Sequence, residues 1–333
     1  MMKLLRKILF PLALLYDGVT RIRNFLYDNS SIKNTSFDLP VICVGNLNVG
    51  GTGKTPMIEF LIRHLKDEYR VAVLSRGYKR KTSGFYDVKT TSTAEEVGDE
   101  PLQFKQKFPD VTVAVDANRV RGIGRLQKNA DLILLDDAFQ HRKVKPSFSI
   151  LLTAYSDLYT DDMVLPAGNL RESAIGAKRA DCIVVTKCPL DISKKEQQRI
   201  IDKLHPEPYQ QVFFAGISYA DVIQNQKEER ALCSLKDKPF TLVTGIANPA
   251  PLVDFLRNKG FEFSHLQFAD HHHFTKTELE NLSRKECIVT TEKDYVRLAP
   301  FLNNPLFYLP IKTTVINAEI NFIKIFKKHI SMF

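Results

Sequence analysis

Residues 41–55, Val-Ile-Cys-Val-Gly-Asn-Leu-Asn-Val-Gly-Gly-Thr-Gly-Lys-Thr, carry the clearest chemistry in the chain. A short apolar run of strand type enters a glycine-rich turn that closes on Gly53-Lys54-Thr55, and a helical pattern follows at once. This is the strand–loop–helix context of a phosphate-binding loop. Backbone N–H groups of Asn48, Val49, Gly50, Gly51, Thr52 and Gly53 are expected to cradle phosphate oxygens, and the helix N-terminus adds partial positive charge. Lys54 is expected to reach the β- and γ-phosphates of a nucleoside triphosphate, and the Thr55 hydroxyl to ligate Mg²⁺. The usual pattern G-x-x-x-x-G-K-[ST] is broken at its first position, Asn48. Asn tolerates left-handed backbone better than most residues, which lets the turn form.

Other chemistry-bearing residues lie downstream. Asp131-Leu-Ile-Leu-Leu-Asp-Asp137 reads as an apolar strand ending in two carboxylates. In a parallel sheet that end lies beside the phosphate loop, where one aspartate can hold Mg²⁺. Adjacent residues of a strand face opposite ways, so only one of Asp136 and Asp137 is expected to point at the metal. In Gly98-Asp99-Glu100-Pro101, Asp99 is a candidate to take the proton of a phosphoryl-acceptor hydroxyl; the same residues also read as a helix start with Pro in its first turn. Asp270-His-His-His-Phe274 is the histidine cluster. It lacks zinc-type spacing, which leaves a base or base-orienting histidine beside a carboxylate, or solvated loop histidines. Arg76, Arg119 and Arg171 are candidate bidentate ligands for the phosphates of the nucleotide or of the substrate, or else solvated surface arginines.

The elements that position these residues follow from periodicity. Met57, Ile58, Leu61, Ile62 and Leu65 recur at helical spacing after the loop, and Arg70–Ser75 is the next strand. Apolar runs recur at 111–115, 132–135, 148–152, 182–185 and 212–215. Continuous rather than alternating, they suit parallel strands buried on both faces. The expected fold class is α/β: a P-loop NTPase-like, doubly wound, mostly parallel sheet, with a second, smaller α/β domain and an N-terminal amphipathic helix. The expected divisions are an N-terminal helix at 1–30, a nucleotide-binding domain at 31–219, a polar hinge at 220–238 and a smaller domain at 239–333. The terminal helix is placed in the smaller domain.

The chain has 333 residues, 26% charged and 44% hydrophobic, with a net charge of +9. That composition is globular and favours acidic partners: phosphates, nucleic acid or an anionic membrane surface. The five scattered cysteines read as reduced cytosolic thiols. The uncharged run from Ile8 to Tyr16 is too short to span a bilayer, and no cleavage site follows it. With Lys3, Arg6, Lys7, Arg21 and Arg23 flanking apolar positions, residues 1–27 read as a helix lying on anionic lipid or packed on the protein's own core. Pro11 is expected to kink or restart it.

The segments VGNLNVGGTGKTP (44–56), LSRGYKR (74–80), GDEP (98–101), LLDDAFQHRKV (134–144), LPAGNLRE (165–172), VVTKCP (184–189), FADHHHF (268–274) and TTEKD (290–294) together resemble the tetraacyldisaccharide 4'-kinase family, in order and over most of the chain. The resemblance implies ATP-dependent phosphorylation of the 4'-hydroxyl of a lipid A precursor, a tetraacyldisaccharide 1-phosphate. It places the protein peripherally on the cytoplasmic face of the bacterial inner membrane. It also implies that Asp99 and His271 act together in proton removal, that Asp136 and Asp137 are the metal-site carboxylates, and that the N-terminal segment contacts lipid. Asp99 and His271 would lie in different domains, so domain closure would complete the site. No obligate protein partner is evident.

Two other classes fit less well. A GTPase-type switch or metal-insertion protein of the same fold would need [NT]-K-x-D, and Thr186-Lys187-Cys188-Pro189 has Pro in place of Asp. Neither Asp136-Asp-Ala-Phe139 nor Asp137-Ala-Phe-Gln140 supplies D-x-x-G. A nucleic-acid binder is suggested by charge alone, without any recognisable binding module.

Overall fold

The computed structural model describes residues 8–236, 238–270 and 272–333. Strand β1 (Val41–Asn46) lies at the middle of a nine-stranded sheet with β5 (Leu132–Asp136) on one side and β6 (Phe148–Ala154) on the other. The order is β15-β8-β7-β6-β1-β5-β2-β4-β3, in which β2 is Val71–Ser75, β3 Tyr86–Asp87, β4 Thr112–Val115, β7 Cys182–Thr186, β8 Gln211–Tyr219 and β15 Ile311–Val315. The seven inner strands are parallel; β3 and β15 run antiparallel at the two edges. Alternate residues of β1 enter two separate cores, Ile42 and Val44 one and Val41 and Cys43 the other. This is why the inner strands read as unbroken apolar runs.

Helix α1 (Phe10–Asp28) precedes the sheet. Pro11 sits in its first turn, where its missing N–H breaks no helical bond, so it starts the helix and does not kink it. Helix α2 (Lys54–Leu65) follows the phosphate loop; α3 (Ala94–Val97) and α4 (Asp99–Lys107) follow β3, and α5 (Arg119–Leu126) follows β4. Asn118 caps α5 through its side chain.

The second sheet has the order β10-β9-β14-β13-β11-β12, with β11 (Phe240–Thr244), β12 (Phe263–Gln267), β13 (Ile288–Thr290) and β14 (Leu306–Tyr308) parallel. The segment expected as a hinge is structured. It forms the hairpin β9 (Val222–Gln224) and β10 (Glu229–Ala231), because Ile223, Leu232 and Leu235 are buried in the smaller core. The polar residues between the strands make its turn.

The C-terminal segment also departs from the expected division. Strand β15 pairs with β8, and the terminal helix Glu319–Ile330 buries Phe322, Phe326 and Ile330 in the core beneath α2. The chain thus leaves the larger lobe after β8 and returns at β15. The Ala220 N–H bonds to the Pro310 carbonyl at 2.9 Å where the two crossings meet.

Candidate phosphate site at the strand ends

The loop from Leu47 to Gly53 closes on Gly53, whose φ of +86° is a left-handed conformation that favours glycine. Thr186, at the end of β7, ties the loop down: its hydroxyl donates to the Thr52 carbonyl at 2.7 Å. Residues 169–171 brace the other side. The Val49 N–H donates to the Asn169 carbonyl and the Arg171 N–H to the Leu47 carbonyl, each at 2.7 Å. The Val49 N–H is therefore engaged within the protein, contrary to its expected place among phosphate donors. Asn48 is buried, and among the described residues its side-chain amide has no protein partner; the buried Thr52 hydroxyl is likewise unmatched there. Buried polar groups are normally satisfied by protein, water or ligand, so both have hydrogen-bonding capacity left for a bound molecule.

Lys54, at the first position of α2, lies 3.2 Å from Asn46 Oδ1 and 3.5 Å from Asp137 Oδ1. Arg171 Nη1 meets the same Asp137 oxygen at 2.9 Å. Asp137 has left the strand, with φ +47°, so strand alternation does not govern where it points. Asp136 ends β5, is buried, and accepts a hydrogen bond from Ser75 Oγ at 2.9 Å. Burial, Asp137 and Glu100 push the Asp136 carboxyl up to about 6. Burial also opposes the Asp137 charge, but Lys54 and Arg171 outweigh it and hold that carboxyl below its usual range. The half-buried Thr55 follows Lys54 on the helix. The Thr55 hydroxyl and the Asp136 and Asp137 carboxylates are oxygen donors without thiolate or imidazole, a ligand type that suits a hard cation such as Mg²⁺.

The three arginines differ. Arg171 is bound to Asp137 and lies 3.4 Å from Gln140 Oε1. Arg119 is 2% exposed; it donates to the Asp116 carbonyl at 2.9 Å and lies 3.5 Å from the Asp136 carbonyl, while its Nε has no protein partner among the described residues. Burial lowers its pKa, and the nearby Arg76 lowers it further. Arg76 itself is exposed just after β2. Lys187, which sequence reasoning weighed only against a guanine-binding motif, is a second ammonium at the loop. A methyl added at Gly51 would lie 4.0 Å from its Nζ, and burial lowers its pKa.

Asp99 is the first residue of α4, and Gly98 before it packs against Gly77 of the loop after β2. Arg297, on the smaller lobe's helix Glu292–Leu298, donates to Asp99 Oδ2 at 2.5 Å. His271 lies outside the described residues. Its neighbour His272 bonds Glu278 Oε2 at 2.9 Å and stacks on Phe268, and His273 is exposed.

Helix α1 lies over this site. Tyr16 Oη donates to the Arg171 carbonyl at 2.8 Å, Asn24 to Glu172 at 2.6 Å and Arg23 to the Gln140 carbonyl at 2.6 Å. Its opposite face exposes Leu12, Leu15, Val19 and Ile22, with Ile8 just ahead of the helix; Leu15 is 68% exposed. Among the described residues no helix is long and apolar enough to cross a membrane.

Comparison with known proteins agrees with this architecture. The family profile described as tetraacyldisaccharide-1-P 4'-kinase, LpxK, matches residues 5–331. The chain is 55% identical over 328 residues to the tetraacyldisaccharide 4'-kinase of Flavobacterium johnsoniae, covering 96% of each protein. It is 50% identical over 332 residues to that of Flavobacterium psychrophilum, covering 97% of this chain and 96% of the relative. The crystal structure of LpxK from Aquifex aeolicus in complex with ATP superposes with a TM-score of 0.80 at 31% identity, covering 98% of this chain and 99% of that one. With a phosphate loop, paired strand-end carboxylates and a second lobe reaching Asp99, the chain belongs to the tetraacyldisaccharide-1-phosphate 4'-kinase family.

Proposed function

We propose that this chain transfers the γ-phosphate of ATP to the 4'-hydroxyl of a tetraacyldisaccharide 1-phosphate, a lipid A precursor. The observation that carries the reading is the meeting of Lys54, Asp136, Asp137 and Arg171 at one set of strand ends, in a chain of this family. Lys54 stabilises charge on the transferring phosphoryl group. Thr55, Asp136 and Asp137 are the residues that would hold Mg²⁺, which would supply charge neutralisation at the phosphates. The Asn48 amide and Thr52 hydroxyl find partners on the nucleotide. Arg119, with its unmatched Nε, and Arg76 supply positive charge toward phosphate oxygens. Asp99 accepts the hydroxyl proton as the new P–O bond forms, assisted by His271.

The exposed apolar stripe of α1 seats the protein peripherally on an anionic bilayer, on the cytoplasmic face of the inner membrane where ATP is available. The same helix bonds to Arg171, so the lipid surface and the phosphate site share one element.

The test is incubation with radiolabelled ATP and a tetraacyldisaccharide 1-phosphate, with unlabelled GTP or ATP as competitor. Label in a bisphosphorylated lipid, competed by ATP and not by GTP, is expected. No transfer, or competition by GTP alone, would sink the reading.

A further inference from the structure

Helix α4 of the larger lobe runs against Glu292–Leu298 of the smaller lobe, and ion pairs join them at both ends. Arg297 meets Asp99 at one end; at the other, Lys107 Nζ lies 2.7 Å from Glu292 Oε2. Arg297 is itself held. Its Nη1 lies 3.4 Å from Asp294 Oδ1, and its side chain is 9% exposed. Asp294 is fully buried, and its Oδ2 accepts from the Gly245 N–H at 2.8 Å and from the Thr291 hydroxyl at 2.8 Å. Burial disfavours the Arg297 charge, but Asp99 and then Asp294 and Glu100 more than offset it and raise the pKa.

Gly245 follows β11 and Thr291 follows β13, its parallel neighbour. The helix after β11 (Ala250–Asn258) packs on one face of the small sheet, while Lys276–Ser283 and Glu292–Leu298 pack on the other. Asp294 therefore sits where the connections diverge, the crevice in which open α/β sheets usually bind ligands. Here a carboxylate of the chain occupies that crevice and aims an arginine at the other lobe.

We propose that Arg297 is a positioning residue for phosphoryl transfer, mounted through Asp294 on the Gly245 N–H and orienting the Asp99 carboxylate across the lobe boundary. The inference rests on Asp99 taking the hydroxyl proton. A guanidinium bonded to one carboxylate oxygen fixes the carboxylate plane and keeps the group ionised, ready to accept a proton. Among the described residues the charged groups near this pair include Asp294, Glu100 and Lys293, the last 3.7 Å from Glu100 and 3.4 Å from Asp270. Lys107 with Glu59 and Glu292 joins the lobes at the far end of the same helices, so latching and positioning are separable by mutation.

The experiment compares kcat, its pH profile, KM for the lipid and the ATP dissociation constant in the wild-type protein, Arg297→Met, Arg297→Lys, Gly245→Ala and Lys107→Met. Arg297→Met is expected to lower kcat by ~10²-fold through misplacement of the base. The acid limb of its kcat profile should move to higher pH, with ATP binding kept. Arg297→Lys should recover part of the loss. A methyl at Gly245 would lie 2.8 Å from Asp294 Oδ1, so Gly245→Ala should act in the direction of Arg297→Met even where that variant folds poorly. Lys107→Met should lose stability with the position of the acid limb unmoved. Normal kcat in Arg297→Met beside an active wild-type protein overturns the proposal. So does a loss in both Arg297 and Gly245 variants that follows melting temperature with the acid limb fixed. No transfer by the wild-type protein would overturn the kinase reading, and this one with it.

Discussion

Two adjacent carboxylates, Asp136 and Asp137, face opposite electrostatic surroundings. Asp136 is enclosed by β5 and Ser75, away from any lysine contact closer than Lys54's longer-range charge, and stays high; Asp137 touches Lys54 and Arg171 and stays low. Lys54 offsets the Asp137 charge, and in the proposed reaction it stabilises the transferring phosphoryl group. Lys54→Ala is expected to abolish transfer with the fold intact, as read by turnover beside circular dichroism; near-normal turnover would remove the phosphate-loop assignment. Asp99→Ala is expected to lower kcat by ~10²–10⁴-fold. ATP affinity should change little, because Asp99 lies outside the loop. If Asp99 and His271 act as one unit, the double alanine variant should be little worse than the poorer single one; fully additive losses would separate them. At this scale the glycine loop before α2 and the aspartates at the end of β5 were legible as local geometry, because strand, turn and helix signals act over a few residues. The tie between Asp99 and Arg297 was not, since 198 positions separate them.

At the scale of elements, α1 buries Ala13, Thr20 and Tyr27 while leaving a stripe of Leu12, Leu15, Val19 and Ile22 exposed. One face of the helix thus packs on the protein's own core, and the other is the exposed stripe to which the lipid-contact reading applies. Full-length protein is expected to float with anionic vesicles, and a variant with the exposed stripe changed to serine to remain below; equal partitioning would place lipid contact elsewhere. Long periodic elements such as α2 were readable, since a buried face recurs every three or four residues. Glu292–Leu298 was not. It has seven residues, and its start is signalled only by the Thr291 cap on the Asp294 N–H, too short a pattern for periodicity to show.

For the whole molecule, the lobes share a buried polar node. Lys107 meets Glu59 at 2.6 Å and Glu292 at 2.7 Å, and Gln103 bonds both glutamates. It joins the phosphate-loop helix, the Asp99 helix and the smaller lobe. Lys107→Met leaves two buried carboxylates with the neutral Gln103 amide but without the Lys107 charge, and is expected to cost about 3 kcal/mol in denaturant unfolding. Burial and then Glu59 raise Glu292 from 4.5 to about 7 despite Lys107. Between those values the folded chain binds more protons than the unfolded one, so this contribution is full below pH 4.5 and is lost as pH rises through about 7. Wild-type stability relative to Glu292→Gln should therefore fall as pH rises across that window. Stability curves that run parallel for the two proteins would refute it.

The sequence by itself determined the local chemistry: a glycine loop before a helix, carboxylates after an apolar strand, and continuous runs that bury both faces of a parallel sheet. These signals act over a few residues, where backbone geometry ties spacing to direction. Tertiary structure alone decided which lobe holds the C-terminal strand and helix. That choice depends on β15 finding the edge of β8 and on Phe322 and Phe326 filling a core built by distant strands. It also decided that the crevice of the small sheet holds Asp294 and presents Arg297 to Asp99, an outcome of packing two lobes together that no local pattern encodes.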